Sequence, residues 1–199
     1  MTTMTADMAD FSSGSPVQFD VQYPESLSRW LIFVKWLLAI PHFLILYALS
    51  IVSALITFIA FFAILFTTRY PEGMFKFAVG IARWQANVSA YVSLLRDEYP
   101  PFSFDAGQYP VVFDIAYPGT LSRWMIFVKW LLVIPNAIVY LALLIASWVT
   151  TMIAWFAILF TGSYPRALFD FAVGVQRWGT RANAYSNLMT DNYPPFSLK

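Results

Sequence analysis

The stretch that decides the fold is written twice. PVQFDVQYPESLSRWLIFVKWLLAIPHF occupies residues 16–43, and PVVFDIAYPGTLSRWMIFVKWLLVIPNA occupies residues 110–137. The register between the two holds without a gap to the end of the chain. Thr67 matches Thr161, Pro71 matches Pro165, Arg83-Trp84 matches Arg177-Trp178, and Tyr99-Pro100-Pro101-Phe102-Ser103 matches Tyr193-Pro194-Pro195-Phe196-Ser197. A period this long exceeds a solenoid unit. It reads as two tandem copies of one small domain, 16–103 and 110–199, joined by a linker over 104–109. Residues 1–15, MTTMTADMADFSSGS, are small and polar and read as a disordered tail. They lack the basic start and apolar run of a secretory signal.

Each copy carries a long charge-free run. Trp36–Thr68 and Trp130–Pro165 contain no Asp, Glu, Lys or Arg. About 20 such residues span the hydrocarbon of a bilayer. The whole chain agrees. Of 199 residues, 59% are hydrophobic and 12% are charged, where a soluble domain carries about 25% charge. Mean hydropathy is +0.62. These values exclude a disordered chain and argue against an ordinary soluble globule. A net charge of +1 provides no basic field for nucleic acid. No cysteine and a single histidine exclude disulfides and thiolate chemistry and leave little for a metal. No cofactor is expected.

The expected class is therefore mainly α and integral to a membrane. Each repeat would hold a short strand, an apolar transmembrane segment broken near a proline, and an amphipathic interfacial helix. From Arg29 to Arg69 a helix would rise about 60 Å, roughly two hydrocarbon thicknesses. Basic residues flank both ends of each run, Arg29 and Lys35 before the first and Arg69, Lys76 and Arg83 after it. Keeping both flanks on one side favours a helical hairpin per copy, with Lys35 and Lys129 snorkelling to the interface. The alternative is a single long helix from Pro41 to Phe66, since Tyr47–Ile51 and Leu141–Ile145 contain no Gly, Pro, Asn or Asp. One crossing per copy would make the two copies an inverted repeat.

The flanks are patterned too. Val17, Phe19, Val21 and Tyr23 alternate with polar residues, and Val111, Phe113, Ile115 and Tyr117 keep the same apolar phase in the second copy. Period two predicts short strands, which would pair with each other or across a homodimer. After each run, Phe77, Ile81, Trp84, Val88, Tyr91 and Leu95, and their counterparts Phe171 to Met189, form a helical stripe. Such a helix either lies in the head-group plane or packs on its own transmembrane segment.

The order Tyr-Pro, Ser-Arg-Trp, Ile-Pro, Ala-Ile-Leu-Phe-Thr, Tyr-Pro, Phe-Ala-Val-Gly, Arg-Trp, Ala-Tyr and Asp-x-Tyr-Pro-Pro-Phe-Ser resembles the bacterial membrane-protein family catalogued as domain of unknown function 4389. The resemblance covers both copies. Where the family pattern is Thr-Gly-Arg-x-Pro, the first copy has Thr67-Thr68-Arg69-Tyr70-Pro71 and the second has Thr161-Gly162-Ser163-Tyr164-Pro165. The resemblance implies a helical membrane protein and assigns no activity.

Candidate functional residues are few. Arg83, Trp84, Arg177, Trp178 and Arg181 are candidates for lipid head-group contact or for a structural role. His42 and its counterpart Asn136 follow the prolines and are candidates for a polar contact there, with a proton relay as the alternative for His42. Asp97 and Asp191 are placed to cap or to pair with a nearby arginine. Gly80 and Gly174 mark close packing. Tyr99, Phe102, Tyr193 and Phe196 belong to a rigid extended segment that docks a partner or packs back on its own domain. No catalytic set, phosphate loop or metal spacing is visible.

The expected function is thus a structural or accessory membrane subunit or scaffold, not an enzyme. Its partners would be membrane lipids and a membrane protein or a second copy, with no nucleic acid. The alternative is a small transporter or channel on the pseudo-twofold repeat, with a polar cavity between the copies lined by His42 and Asn136. The expected location is the bacterial cytoplasmic membrane, multi-pass.

Overall fold

The computed structural model describes residues 15–199, so all but the last residue of the expected disordered tail lies outside the described residues. Its elements are β1 (Val17–Val21), a 3-10 turn (Leu31–Phe33), α1 (Lys35–Leu38), α2 (Ile40–Thr67), α3 (Glu72–Val92), β2 (Val111–Ile115), α4 (Met125–Thr161) and α5 (Arg166–Ser186).

Neither apolar run folds back, which corrects the hairpin expectation. α2 passes through Tyr47–Ile51 and α4 through Leu141–Ile145 as uninterrupted helix. With no Gly, Pro, Asn or Asp at either midpoint, nothing offsets the backbone hydrogen bonds that a turn would forfeit. Pro41 sits in the first turn of α2, where its missing N–H costs nothing. Pro135 is carried inside α4. Each run therefore reads as one stretch of 37 residues, Leu31–Thr67 and Met125–Thr161, long and apolar enough to cross a membrane.

Both runs end in a left-handed residue, Thr68 at φ 61° and Gly162 at φ 73°. Glycine adopts this conformation freely, whereas a Cβ costs about 1 kcal/mol or more. Thr68→Gly is accordingly expected to stabilise the protein by about 1 kcal/mol, and Gly162→Thr to destabilise it by a similar amount. Paired thermal melts in mild detergent measure both. An unchanged melt for Thr68→Gly would refute the strain.

The strands pair with each other, antiparallel, with Phe19 opposite Phe113 and Val17 opposite Ile115. Val17, Phe19 and Val21 point inward, and so do Val111, Phe113 and Ile115. A two-stranded ribbon is marginal alone, and its inner face is covered by helices. The cover is exchanged between repeats. β1 packs on α5 of the second repeat and β2 packs on α3 of the first. The segments after the strands follow the same exchange. Leu27 donates its N–H to Gly162 O at 2.8 Å, and Leu121 donates to Thr68 O at 2.8 Å. Tyr23 Oη donates to Tyr164 O, and Tyr117 Oη to Tyr70 O. The two copies are thus interlocked halves around a common core, not two independent domains.

The long helices run antiparallel. Phe33 meets Trp155 at 5.2 Å between ring centroids, and Phe61 meets Phe127 at 5.4 Å. Ala60 and its counterpart Ala154 are fully buried in this layer. Behind it lie α3 and α5, and behind those lies the ribbon. Three layers result, apolar helices on one side and a sheet carrying Asp20 and Asp114 on the other.

Candidate functional site

α3 and α5 form the middle layer, packed on the long helices, which is the second of the two placements that their amphipathic pattern leaves open. Phe75, Trp84, Val88 and Tyr91 of α3 are buried, as are Phe169, Val175, Trp178 and Tyr185 of α5. Arg83 of α3 and Arg177 of α5 reach the ribbon. Arg83 donates from Nε to Phe113 O at 3.0 Å and from Nη1 to Phe104 O at 2.7 Å, and pairs through Nη2 with Asp114 at 3.2 Å. Arg177 repeats this with Phe19 O at 2.8 Å, Leu198 O at 2.9 Å and Asp20 at 3.1 Å. Each guanidinium is occupied by protein and clamps the other repeat's strand. Of the two roles open to them in the sequence, this geometry is the structural one. Arg181 donates from Nη1 to Ser197 O at 3.4 Å.

Trp84 and Trp178 are buried donors. Trp84 Nε1 donates to His42 Nδ1 at 3.0 Å, and Trp178 Nε1 donates to Asn136 Oδ1 at 2.8 Å. The two sites lie in separate repeats, so His42 and Asn136 do not face a shared cavity. The His42 ring stacks on Phe102 with centroids 4.1 Å apart. Asn136 also donates to Pro194 O at 3.2 Å, while His42 Nε2 is buried without a partner. The two residue types thus accept the same indole N–H. His42→Asn is expected to leave stability within about 1 kcal/mol of the parent. His42→Ala strands the Trp84 N–H and is expected to cost about 2 kcal/mol. Thermal denaturation of the three proteins checks this, and equal losses for Asn and Ala would refute the shared role.

The lysines expected to snorkel do the opposite. Lys35 and Lys129 have side chains only 2% exposed. Lys35 Nζ pairs with Asp97 at 2.7 Å, donates to Arg96 O at 2.7 Å and lies 5.0 Å from the Tyr91 ring centroid. Lys129 repeats this with Asp191, Thr190 O and Tyr185. The aspartates therefore pair with lysine, not arginine, and each also accepts a backbone N–H, from Ser28 or Ser122. The signal for this was in the sequence. Both pairs have the same separation in the two copies, and both lysines are the lone charges at the edge of an apolar run.

Tyr99, Phe102, Tyr193 and Phe196 pack back on their own repeats while keeping one side exposed. Tyr99 Oη donates to Leu38 O at 3.1 Å. Phe102 lies against Trp84 and Phe196 against Trp178, both at 5.6 Å. The glycines sit at close approaches, since a Cβ on Gly80 would fall 2.7 Å from Phe104 Cβ and one on Gly174 would fall 2.9 Å from the Leu198 backbone oxygen. Burial pushes the Tyr70 and Tyr164 phenols up to about 12, with Thr57 and Thr151 beside them partly offsetting it. Among the described residues no group of three or more His, Cys, Asp or Glu is placed to hold a metal ion.

The remaining feature is the outer face of the long helices. Only 17% of the most apolar window in the first run and 6% of that in the second are buried within the protein. Tyr47, Leu55, Phe58 and Phe66 of α2 are exposed, as are Leu141, Trp148, Phe156 and Phe160 of α4. Soluble monomers rarely expose contiguous apolar patches beyond a few hundred Å². This surface is the candidate site.

The pattern of the domain of unknown function DUF4389 matches residues 29–103 and again 123–197. The chain belongs to the DUF4389 family. No curated protein and no solved structure matches it. Each DUF4389 match begins at the Arg-Trp that precedes a long helix and ends at the Pro-Pro-Phe-Ser segment. The exchanged strands fall outside both matches. The DUF4389 unit is therefore the helix pair with its wrapping C-terminal segment, and the ribbon is what couples two units. The left-handed residues Thr68 and Gly162 that end the long helices lie within the matched residues.

Proposed function

We propose that this protein is a membrane-seated structural or accessory subunit, with lipid against α2 and α4 and the ribbon side turned to water for contact with other proteins. One observation carries the reading, the largely unburied apolar surface of two helical stretches of 37 residues, Leu31–Thr67 and Met125–Thr161. Water at such a surface is unfavourable by about 25 cal/mol per Å², and hydrocarbon removes that penalty. The closed helical backbone meets the requirement that every peptide group in lipid be paired internally. A structural rather than catalytic role is supported by the paired polar side chains at the start of each repeat's long helix, Lys35 with Asp97 and Trp84 with His42 in the first and Lys129 with Asp191 and Trp178 with Asn136 in the second. Transport is the weaker reading, because His42 and Asn136 are each closed within one repeat by a tryptophan and a Pro-Pro-Phe segment.

Fractionation tests the lipid contact. The protein should remain with membranes through alkaline carbonate and high salt and be released by mild detergent. Recovery of a monodisperse protein in detergent-free buffer would overturn the reading. Affinity purification in mild detergent tests the accessory role, with a stoichiometric membrane-protein partner as the expected result and a partner-free protein as the refuting one.

A further inference from the structure

We propose that α2 and α4 lie flat in one leaflet as a two-helix raft and do not cross the bilayer. This rests on the membrane reading above and adds the pose. The argument is one of levels along the helices. α3 runs antiparallel to α2, since Trp84 reaches His42 and Tyr91 lies under Lys35. Arg83 and its partner Asp114 are therefore level with His42, and Arg177 with Asp20 is level with Asn136. The contacts of Phe33 with Trp155 and of Phe61 with Phe127 place the middle of the antiparallel pair at Tyr47 and Leu141. At 1.5 Å per residue, each arginine–aspartate pair lies within about 8 Å of that middle, one on either side.

A bilayer penetrated end-on by these helices has hydrocarbon reaching about 15 Å either way from its centre. Both ion pairs would then sit inside it. Their carboxylates are open to the surroundings, with Asp114 51% and Asp20 68% exposed. No placement in which these stretches, about 55 Å long, cross the slab clears both pairs. Exposed charges at bilayer depth are the costliest placement a membrane protein meets. Rotating the molecule so that the helices lie in the membrane plane removes the conflict, because the ribbon is the layer farthest from them.

The occupant of the raft's outer face is lipid rather than a second copy. At 100° per residue the exposed residues of α2 from Phe43 to Phe66 cover about 200° of its circumference, about twice the stripe that a helix buries against a partner. The raft's two ends carry Arg29-Trp30 and Arg123-Trp124, with both indoles 82% exposed. That pairing suits the head-group region. The carbonyls at the helix ends are closed by the exchanged segments through Leu121 and Leu27.

The chain has no cysteine, so single cysteines test the pose in the full-length protein. Ser26→Cys and Thr120→Cys mark opposite ends of the raft. Leu141→Cys marks its outer face at the middle, with Leu55→Cys about 12 Å and Phe66→Cys about 28 Å from it along the helices. In sealed right-side-out and inverted vesicles, an impermeant maleimide should label Ser26→Cys and Thr120→Cys from the same side. Spin labels at the three face positions should report one shallow depth, about 5–10 Å below the head groups. Labelling of the two end positions from opposite sides, or a midpoint depth near 15 Å with a shallower Phe66 position, would overturn the flat pose while leaving the membrane reading intact. A protein that leaves the membrane without detergent would overturn both.

Discussion

Lys35→Met should lower the unfolding free energy by about 3 kcal/mol, and Lys129→Met by a similar amount. Removing one partner of a buried ion pair costs about 3–5 kcal/mol, because the other charge is left buried and unpaired. The low end applies here, since the Asp97 and Asp191 side chains remain 24% exposed and keep the backbone N–H of Ser28 or Ser122. Methionine preserves the apolar stem, so the loss reports on the ammonium group. Its three attachments are the carboxylate, the Arg96 or Thr190 carbonyl, and the tyrosine face. These fix the start of each long helix to the segment that closes the same repeat. The double variant Lys35→Met/Asp97→Asn should recover part of the loss, because it removes the orphaned charge. Thermal unfolding in detergent, followed by tryptophan emission, measures all three. A double variant no more stable than Lys35→Met would refute the paired-charge account, and so would a negligible effect of Lys35→Met.

The legible part of the fold follows from periodicity. The duplication, the period-two strands at 17–21 and 111–115, and the charge-free runs lie in the sequence as repeats, alternation and composition, and each becomes the element that its pattern requires. The hairpin is a different case. That expectation rests on basic flanks, which bias orientation only where the run crosses a bilayer. The absent turn residues at Tyr47–Ile51 carried the better local signal. The candidate arginines show why site residues are harder to read. Arg83 and Arg177 occupy the polar side of an amphipathic pattern, and such a side faces either water or another polar element. Only the return of a strand from the other repeat decides between them. Exchange between homologous repeats leaves no trace in one repeat's own pattern, because the socket and the strand are the same in both.

That exchange gives the second large prediction. Residues 1–106 and 107–199, produced separately, should each fail to fold as a monomer. The division falls beside Gly107, where φ is 78° and no neighbouring atom lies within 4 Å of an added Cβ, so the cut itself disturbs little. The first half alone would leave β1 without α5 and α3 without β2. Val17, Phe19 and Val21 would return to water, each at a cost of about 2 kcal/mol as an upper estimate. Three such losses are of the order of a whole domain's net stability. Arg83 would also lose Asp114 and the Phe113 carbonyl. Because the halves are homologous, the first half can satisfy these groups from a second copy of itself, with Asp20 taking the place of Asp114. The expected result is a homodimer or aggregate of either half alone, and a one-to-one complex when both are produced together. Reversing the clamp charge sharpens the test. Asp20→Arg in the first half should weaken the mixed complex, because it sets two like charges against each other at one clamp, and Arg177→Asp in the second half should restore it in part. Size-exclusion chromatography with light scattering in a defined detergent reads each case. A folded, monodisperse monomer of either half would show that the strand exchange is dispensable and that a single repeat carries its own core.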